Sequence, residues 1–213
     1  MQLKIKQLDV VYRTKLCRLF GEVTIARMPS LNFSHHLLVA MPAMTDSVFS
    51  KSLIYVCEHN EQGALGIIVN RPISLTLDDL FAQIKVTLSN TEIKNLPVHF
   101  GGPVQTDRGF ILHDPVGQWQ ATLSINDNLG LTTSKDILEA VAAGKGPSNI
   151  LVTLGYTGWA QGQLEQEMAN NAWLSVPATE HILFDLPAEK RLSTTMGLLG
   201  IDYASLSEDA GHA

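Results

Sequence analysis

The chain has 213 residues, 45% of them apolar and 17% charged, with a formal net charge of −6, which is enough apolar chain for one domain with a core of ordinary size. No run approaches the 18 or more apolar residues of a membrane span, the first 27 residues lack the order of a signal peptide, and only two cysteines occur, Cys17 and Cys57, with no C-x-x-C pair; a membrane-spanning chain, a disulfide framework and a structural zinc site are not indicated. A cytoplasmic protein with reduced thiols, no bound metal or cofactor and no membrane contact is expected.

The charge is unevenly spread. Residues 1–27 hold Lys4, Lys6, Arg13, Lys15, Arg18 and Arg27 against Asp9 and Glu22, a net +4 that leaves −10 for residues 28–213. A body so acidic repels phosphate backbones and anionic lipid, so direct nucleic-acid contact is not expected. The stretch before Met28 shows no period continuous with the residues after it, whereas "MPSLNFSHHLLVAMPAM" opens a strand-like pattern. Residues 1–28 are therefore read as an extension, with Met28 as the expected start, and residues 29–213 as the domain.

Along the body, "HHLLVAM" (35–41), "SLIYVCEH" (52–59) and "ALGIIVN" (64–70) are short, rich in branched or aromatic residues and bounded by turn formers, which predicts strands. The link from Asn60 to Gly63 is hairpin-sized. "SLTLDDLFAQI" (74–84) sets Leu77, Leu80, Phe81 and Ile84 at helical spacing behind a capping box of Thr76 and Asp79, so a helix is predicted there. "VHFG" (98–101), "GFILHD" (109–114) and "ATLSIN" (121–126) read as strands. "TSKDILEAVAAGKGP" (133–147) is a helix capped by Ser134 and ended by Gly144. "NILVTLGY" (149–156) reads as a buried strand, "AQGQLEQEMANN" (160–171) as a helix and "EKRLSTTMGLLG" (189–200) as a last helix stopped by Gly200. Early hairpins with scattered helices favour α+β with a mixed or mostly antiparallel sheet over a doubly wound one.

Cys57-Glu58-His59 carries the vocabulary of nucleophilic catalysis on consecutive residues. On a strand, however, Cys57 and His59 point one way and Glu58 the other, so the three form no local triad, and Cys57 is read as a buried filler. Gly101-Gly102 before Pro103 predicts a tight turn or a close backbone approach. A backbone nest for an anion, helped by Arg71 and Arg108, is the functional reading of that corner, and a plain hairpin corner is the preferred one. "LGYTGWAQGQLEQEMANNAW" (154–173) has the strand, loop, helix layout of an anion site, but it lacks the Lys and Ser/Thr of a P-loop. Glu165 and Glu167 lie about 200° apart on a helix and cannot act as a pair; the i,i+4 pairs are Gln161 with Glu165 and Gln163 with Glu167. A glutamate buried against Trp159 and Trp173 would need a partner such as Arg71 or Arg108.

Taken in order, "LLVAMP", "YVCEHNEQGALGIIVNRP", "FGGPVQTDRGFILH", "LGYTGWAQGQLEQEMANNAWL" and "TMGLLGIDYASLSEDAGHA" resemble the signature blocks of the YqgE/AlgH family of bacterial proteins, over about residues 30–213. The resemblance implies a single compact α+β domain with a barrel-like or bifurcated sheet wrapped by helices, a cytosolic setting, no agreed activity and, for some members, a link to alginate regulation. No catalytic residue carries over. Two readings compete. In the first, a non-enzymatic regulatory or binding protein gathers Glu58, His59, Asn60, Asn70, Arg71 and Gly101 with Gly102, Arg108, Trp159, Gln163, Glu165 and Asn171 into one polar surface or pocket for a protein partner or a small anionic ligand. In the second, a hydrolase or transferase acts on a phosphorylated metabolite, with Glu58 or Glu165 as base and Arg71 or Arg108 on the anion. The first is preferred, because no nucleophile, base and orienting group can be assembled.

Overall fold

The computed structural model describes residues 32–201; the expected extension, residues 1–28, and the polar tail after Ile201 lie outside them. The strands are β1 (His36–Ala40), β2 (Leu53–Asn60), β3 (Gly63–Ile68), β4 (Pro72–Thr76), β5 (Pro97–Phe100), β6 (Val104–Asp114), β7 (Thr122–Ser124), β8 (Gly130–Thr132), β9 (Asn149–Ala160) and β10 (Trp173–Pro177). The helices are α1 (Leu77–Gln83), α2 (Lys135–Ala142), α3 (Gln163–Ala169) and α4 (Ala188–Leu198), with a π-helical turn at His181–Asp185. The fold is α+β, and its sheet curls into a half barrel.

The sheet runs in the order β10-β1-β2-β3-β9-β6-β8-β7, and it bifurcates along β9. Gly63–Gly66 of β3 pair with Thr157–Ala160 at one end of β9, while on the opposite edge β6 pairs with Asn149–Leu154 at the other end and, after a register shift, with Tyr156 through Val104. On the β3 edge β5 also joins β9, in parallel, and carries β4 on its far side. The change of partner from β5 to β3 along one edge of β9, between Leu154 and Thr157, spans Gly155, whose φ of +74° suits glycine. Three apolar clusters fill the layers. The π-helical turn and α4 cover the first with Ile182, Leu183 and Met196, α3 closes the second with Leu164 over Ile54, Val56 and Trp159, and α1 with α2 closes the third through Phe81, Ile137 and Val141.

Several local signals hold. Thr76 and Asp79 form the capping box of α1, Gly144 follows α2 at φ +70°, and Gly200 follows α4 at φ +67°. Others are corrected. Ser134 sits at the start of α2 but makes no capping bond; its hydroxyl donates to Asp136 and accepts from the Ala121 amide. Residues 74–76 belong to β4 rather than to the helix. β9 continues to Ala160, so Gly155–Gly158 is strand and not a loop feeding a helix. The expected alternation along β2 also fails, because a bulge between Val56 and Glu58 adds a residue to the strand and shifts its parity. Cys57 therefore packs in the first cluster with Tyr55, while His59 lies on the other side against Phe33 of the second. Burial, with the Glu58 charge adding to it, pushes the Cys57 thiol far up, in keeping with a filler rather than a nucleophile.

Candidate functional site

The end of β9, α3 and the start of β10 form a densely bonded polar region. Gly162, at φ +74°, turns the chain from strand to helix, and the Gln163 side-chain oxygen accepts the Ala160 N–H at 3.0 Å. Trp159 of β9 and Trp173 of β10 meet edge to face, with ring centres 6.1 Å apart, and Phe49 meets Trp173 in the same way at 6.0 Å. Both indole N–H groups donate to one oxygen of Glu167, each at 2.8 Å, and Gln163 donates to the other at 2.9 Å. A carboxylate expected to need arginine is thus held by two indoles and an amide. Glu167→Leu would leave two largely buried N–H donors without an acceptor, at about 1 kcal/mol each. A loss of about 2 kcal/mol in urea unfolding is expected, with Glu167→Gln, which keeps an acceptor, costing less.

Glu165 serves a different partner, as the angular spacing requires. The Phe33 amide donates to His59 Nδ1 at 3.0 Å, which leaves that nitrogen unprotonated. Nε2–H then donates to Glu165 at 3.1 Å. His59 is buried and its amide donates to the Ser34 hydroxyl, so the pair ties residues 33–34 to α3.

Two adjoining depressions meet at Gly158 and Trp159. One, of about 430 Å³, is lined by Glu58, Asn60, Gln62 and Tyr156. The other, of about 210 Å³, is lined by Asp46, Phe49, Gln163, Glu167 and Trp173. Among the described residues no lysine, arginine or histidine lines either. Of the residues singled out from the sequence, Glu58, Asn60, Trp159 and Gln163 come together here, and His59 with Glu165 supports α3 beside them.

The others are placed elsewhere. Asn70 bridges the strand ends, accepting from the Leu53 amide and donating to the Lys51 carbonyl. Arg71 donates to the Ser50 carbonyl, burial lowers its pKa, and the charge of Asp46 opposes that shift. The Gly101 amide donates to the Leu154 carbonyl at 2.8 Å, so it is not free to join an anion nest. Gly102, at φ +152°, lies against the Tyr156 carbonyl. Arg108 is exposed, donates to Thr133 at 2.8 Å and lies over the Phe110 ring. Asn171 takes a positive φ of +54° just behind α3, a helix-ending position. Among the described residues no His, Cys, Asp and Glu side chains group as a metal site.

Asp46, Glu167 and Trp173 were not in the set singled out from the sequence. The Gln163 to Glu167 spacing was visible, but the indoles that share Glu167 meet only through the tertiary fold. Asp46 is marked by its turn, where its carboxylate accepts the Val48 and Phe49 amides.

Known proteins resemble this chain in sequence and in fold. The family described as DUF179, AlgH-like, matches residues 37–204. A UPF0301 protein of Nitrosospira multiformis is 56% identical over 186 residues, 87% of this chain and all of that one, and one of Dechloromonas aromatica is 55% identical over the same length. The solution structure of the AlgH protein from Pseudomonas aeruginosa superposes with a TM-score of 0.71 at 47% identity, covering 87% of this chain and 97% of that one. A Corynebacterium diphtheriae crystal structure, at 20% identity and a TM-score of 0.64 over 81% of this chain and 90% of that one, shares the fold.

Proposed function

This chain belongs to the AlgH-like family, and from that premise we propose that it is a non-enzymatic regulatory protein of the bacterial cytosol whose acidic, indole-floored depressions take a basic segment of a protein partner. The observation that carries the reading is the charge of the lining: Glu58, Asp46 and Glu167 surround Trp159 and Trp173, with no cationic side chain among the described lining residues. A guanidinium or ammonium would find carboxylates at the rim and aromatic rings at the floor. The −10 charge of residues 28–213 would steer such a partner in. A catalytic reading has less support, because Arg71 and Arg108 line neither depression and Glu165 is engaged with His59.

Titration of the indole fluorescence with a short arginine-rich peptide and with its glutamate-rich counterpart tests the proposal. Saturable change with the basic peptide only is expected. It should weaken roughly two- to fivefold for each of Asp46→Asn and Glu58→Gln, and further with salt. Equal response to both peptides, or none to either, would overturn it.

A further inference from the structure

We propose that a second site, the cavity between β5 and the segment leading into α4, binds a small organic carboxylate with an apolar body, gripped by Arg191 and His99. The cavity holds about 280 Å³, near the lower end of small-molecule sites. Leu77, Leu96, Ile150, Val152, Phe184 and Leu186 supply apolar wall.

Two polar groups in that wall are left incomplete. Arg191 is 6% exposed. Its Nε donates to the Leu186 carbonyl at 3.0 Å and Nη1 to the Val69 carbonyl at 2.6 Å, which fixes the plane of the guanidinium with neutral acceptors only. No carboxylate of the described residues forms an ion pair with it, although the charge of Glu189 acts on it from a distance. Asp185 also lines the cavity, but its side chain is 64% exposed and bonds His181 at 3.0 Å. His99 is 4% exposed, and neither ring nitrogen makes a well-formed hydrogen bond; the carbonyls of Val152 and Pro97 lie close to the ring without meeting that geometry. Burial, reinforced by the Arg191 charge, pushes its pKa down to about 4, with the carbonyls of Val152 and Pro97 opposing. The ring is therefore neutral at physiological pH, with one N–H to donate.

A buried cation held only by carbonyls is costly unless an anion meets it. A guanidinium fork suits a carboxylate, which takes two parallel N–H bonds, and the imidazole N–H offers a third. One cation in an apolar wall leaves the second charge of a phosphate dianion unmatched, so a monoanion fits better. The apolar lining then selects the rest of the ligand. This site differs from the indole depressions in location and in sign of charge, so either proposal can fail without the other.

The test follows the His99 imidazole signals of the full chain by NMR during titration with benzoate, hexanoate, hexanol and inorganic phosphate. Benzoate or hexanoate should shift the His99 signals saturably, hexanol should bind at least tenfold more weakly, and phosphate should leave them unmoved. In the unsubstituted protein the bound carboxylate should also raise the pH at which His99 titrates, a readout that needs no variant. Followed on the ligand's own NMR signals, His99→Phe, which fills the cavity, should abolish binding, and Arg191→Lys should weaken it about tenfold. Equal binding of hexanol and hexanoate, unchanged binding in His99→Phe, or carboxylates that move only exposed histidines would overturn the proposal.

Discussion

Gly101→Ala should destabilise the protein by about 3 kcal/mol or more, because the added methyl has nowhere to go. A Cβ on Gly101 would stand 2.2 Å from the Gly155 carbonyl oxygen and 2.6 Å from the Thr153 hydroxyl. Neither side can easily yield. The Gly101 amide is bonded to the Leu154 carbonyl and its carbonyl to the Ile68 amide, both at 2.8 Å, so a shift would break the contact that brings β3, β5 and β9 together. Gly109→Ala is the matched control, since its Cβ would meet nothing within 4 Å and its φ is not positive; it should change stability by under about 0.5 kcal/mol. Urea midpoints with unchanged slopes would report the two values. A Gly101→Ala protein as stable as its control would show that the approach of the two backbones is slack.

The second large effect is in acid. Burial holds folded His99 near 4 against an ordinary value of 6.5. Between those pH values the unfolded chain takes up a proton that the folded chain refuses. Stability therefore falls as pH drops from about 6.5, and the loss levels off below about 4, reaching roughly 3 kcal/mol. Asp79 and Asp136, whose pKa values hydrogen bonds lower from 3.8, lose their contribution at still lower pH. His113, which burial also holds below its ordinary value, acts in the same direction as His99. His99→Leu should thus shrink the slope of unfolding free energy between pH 4 and 6.5 without flattening it entirely. An unchanged slope would mean that His99 is as easily protonated folded as unfolded.

The fold was legible wherever a local pattern has one cause. Two strands around a two-residue turn at Glu61-Gln62, the Thr76 and Asp79 box and the glycine behind α2 all sit within a few residues of what they determine. The bulge at Cys57 left no mark, because an inserted residue that is itself small and apolar looks like continued strand. Gly155 and Gly158 read as loop punctuation, whereas Gly155 serves a backbone approach inside a strand. β8 was too short, at three residues, to show any alternation. The site obeyed the same rule. Gln163 and Glu167 were readable as a helical pair, but the indoles they meet come from two strands. His99 and Arg191 are far apart in sequence, and nothing local shows that a cation will be buried without an ion-pair partner among the described residues.

The placement of β9 also constrains how the chain comes off the ribosome. Without it the remaining pairings fall into separate pieces: β1 with β2 and β3, β4 with β5, and β6 with β8 and β7. These are antiparallel units of short sequence separation that form early. Until Asn149 onward has been synthesised, no strand joins them, and β3, β5 and β6 each present an open apolar edge of the kind that nascent-chain chaperones recognise. The complete sheet thus cannot close before β9 has been translated, and a chain halted just before it would keep those edges open.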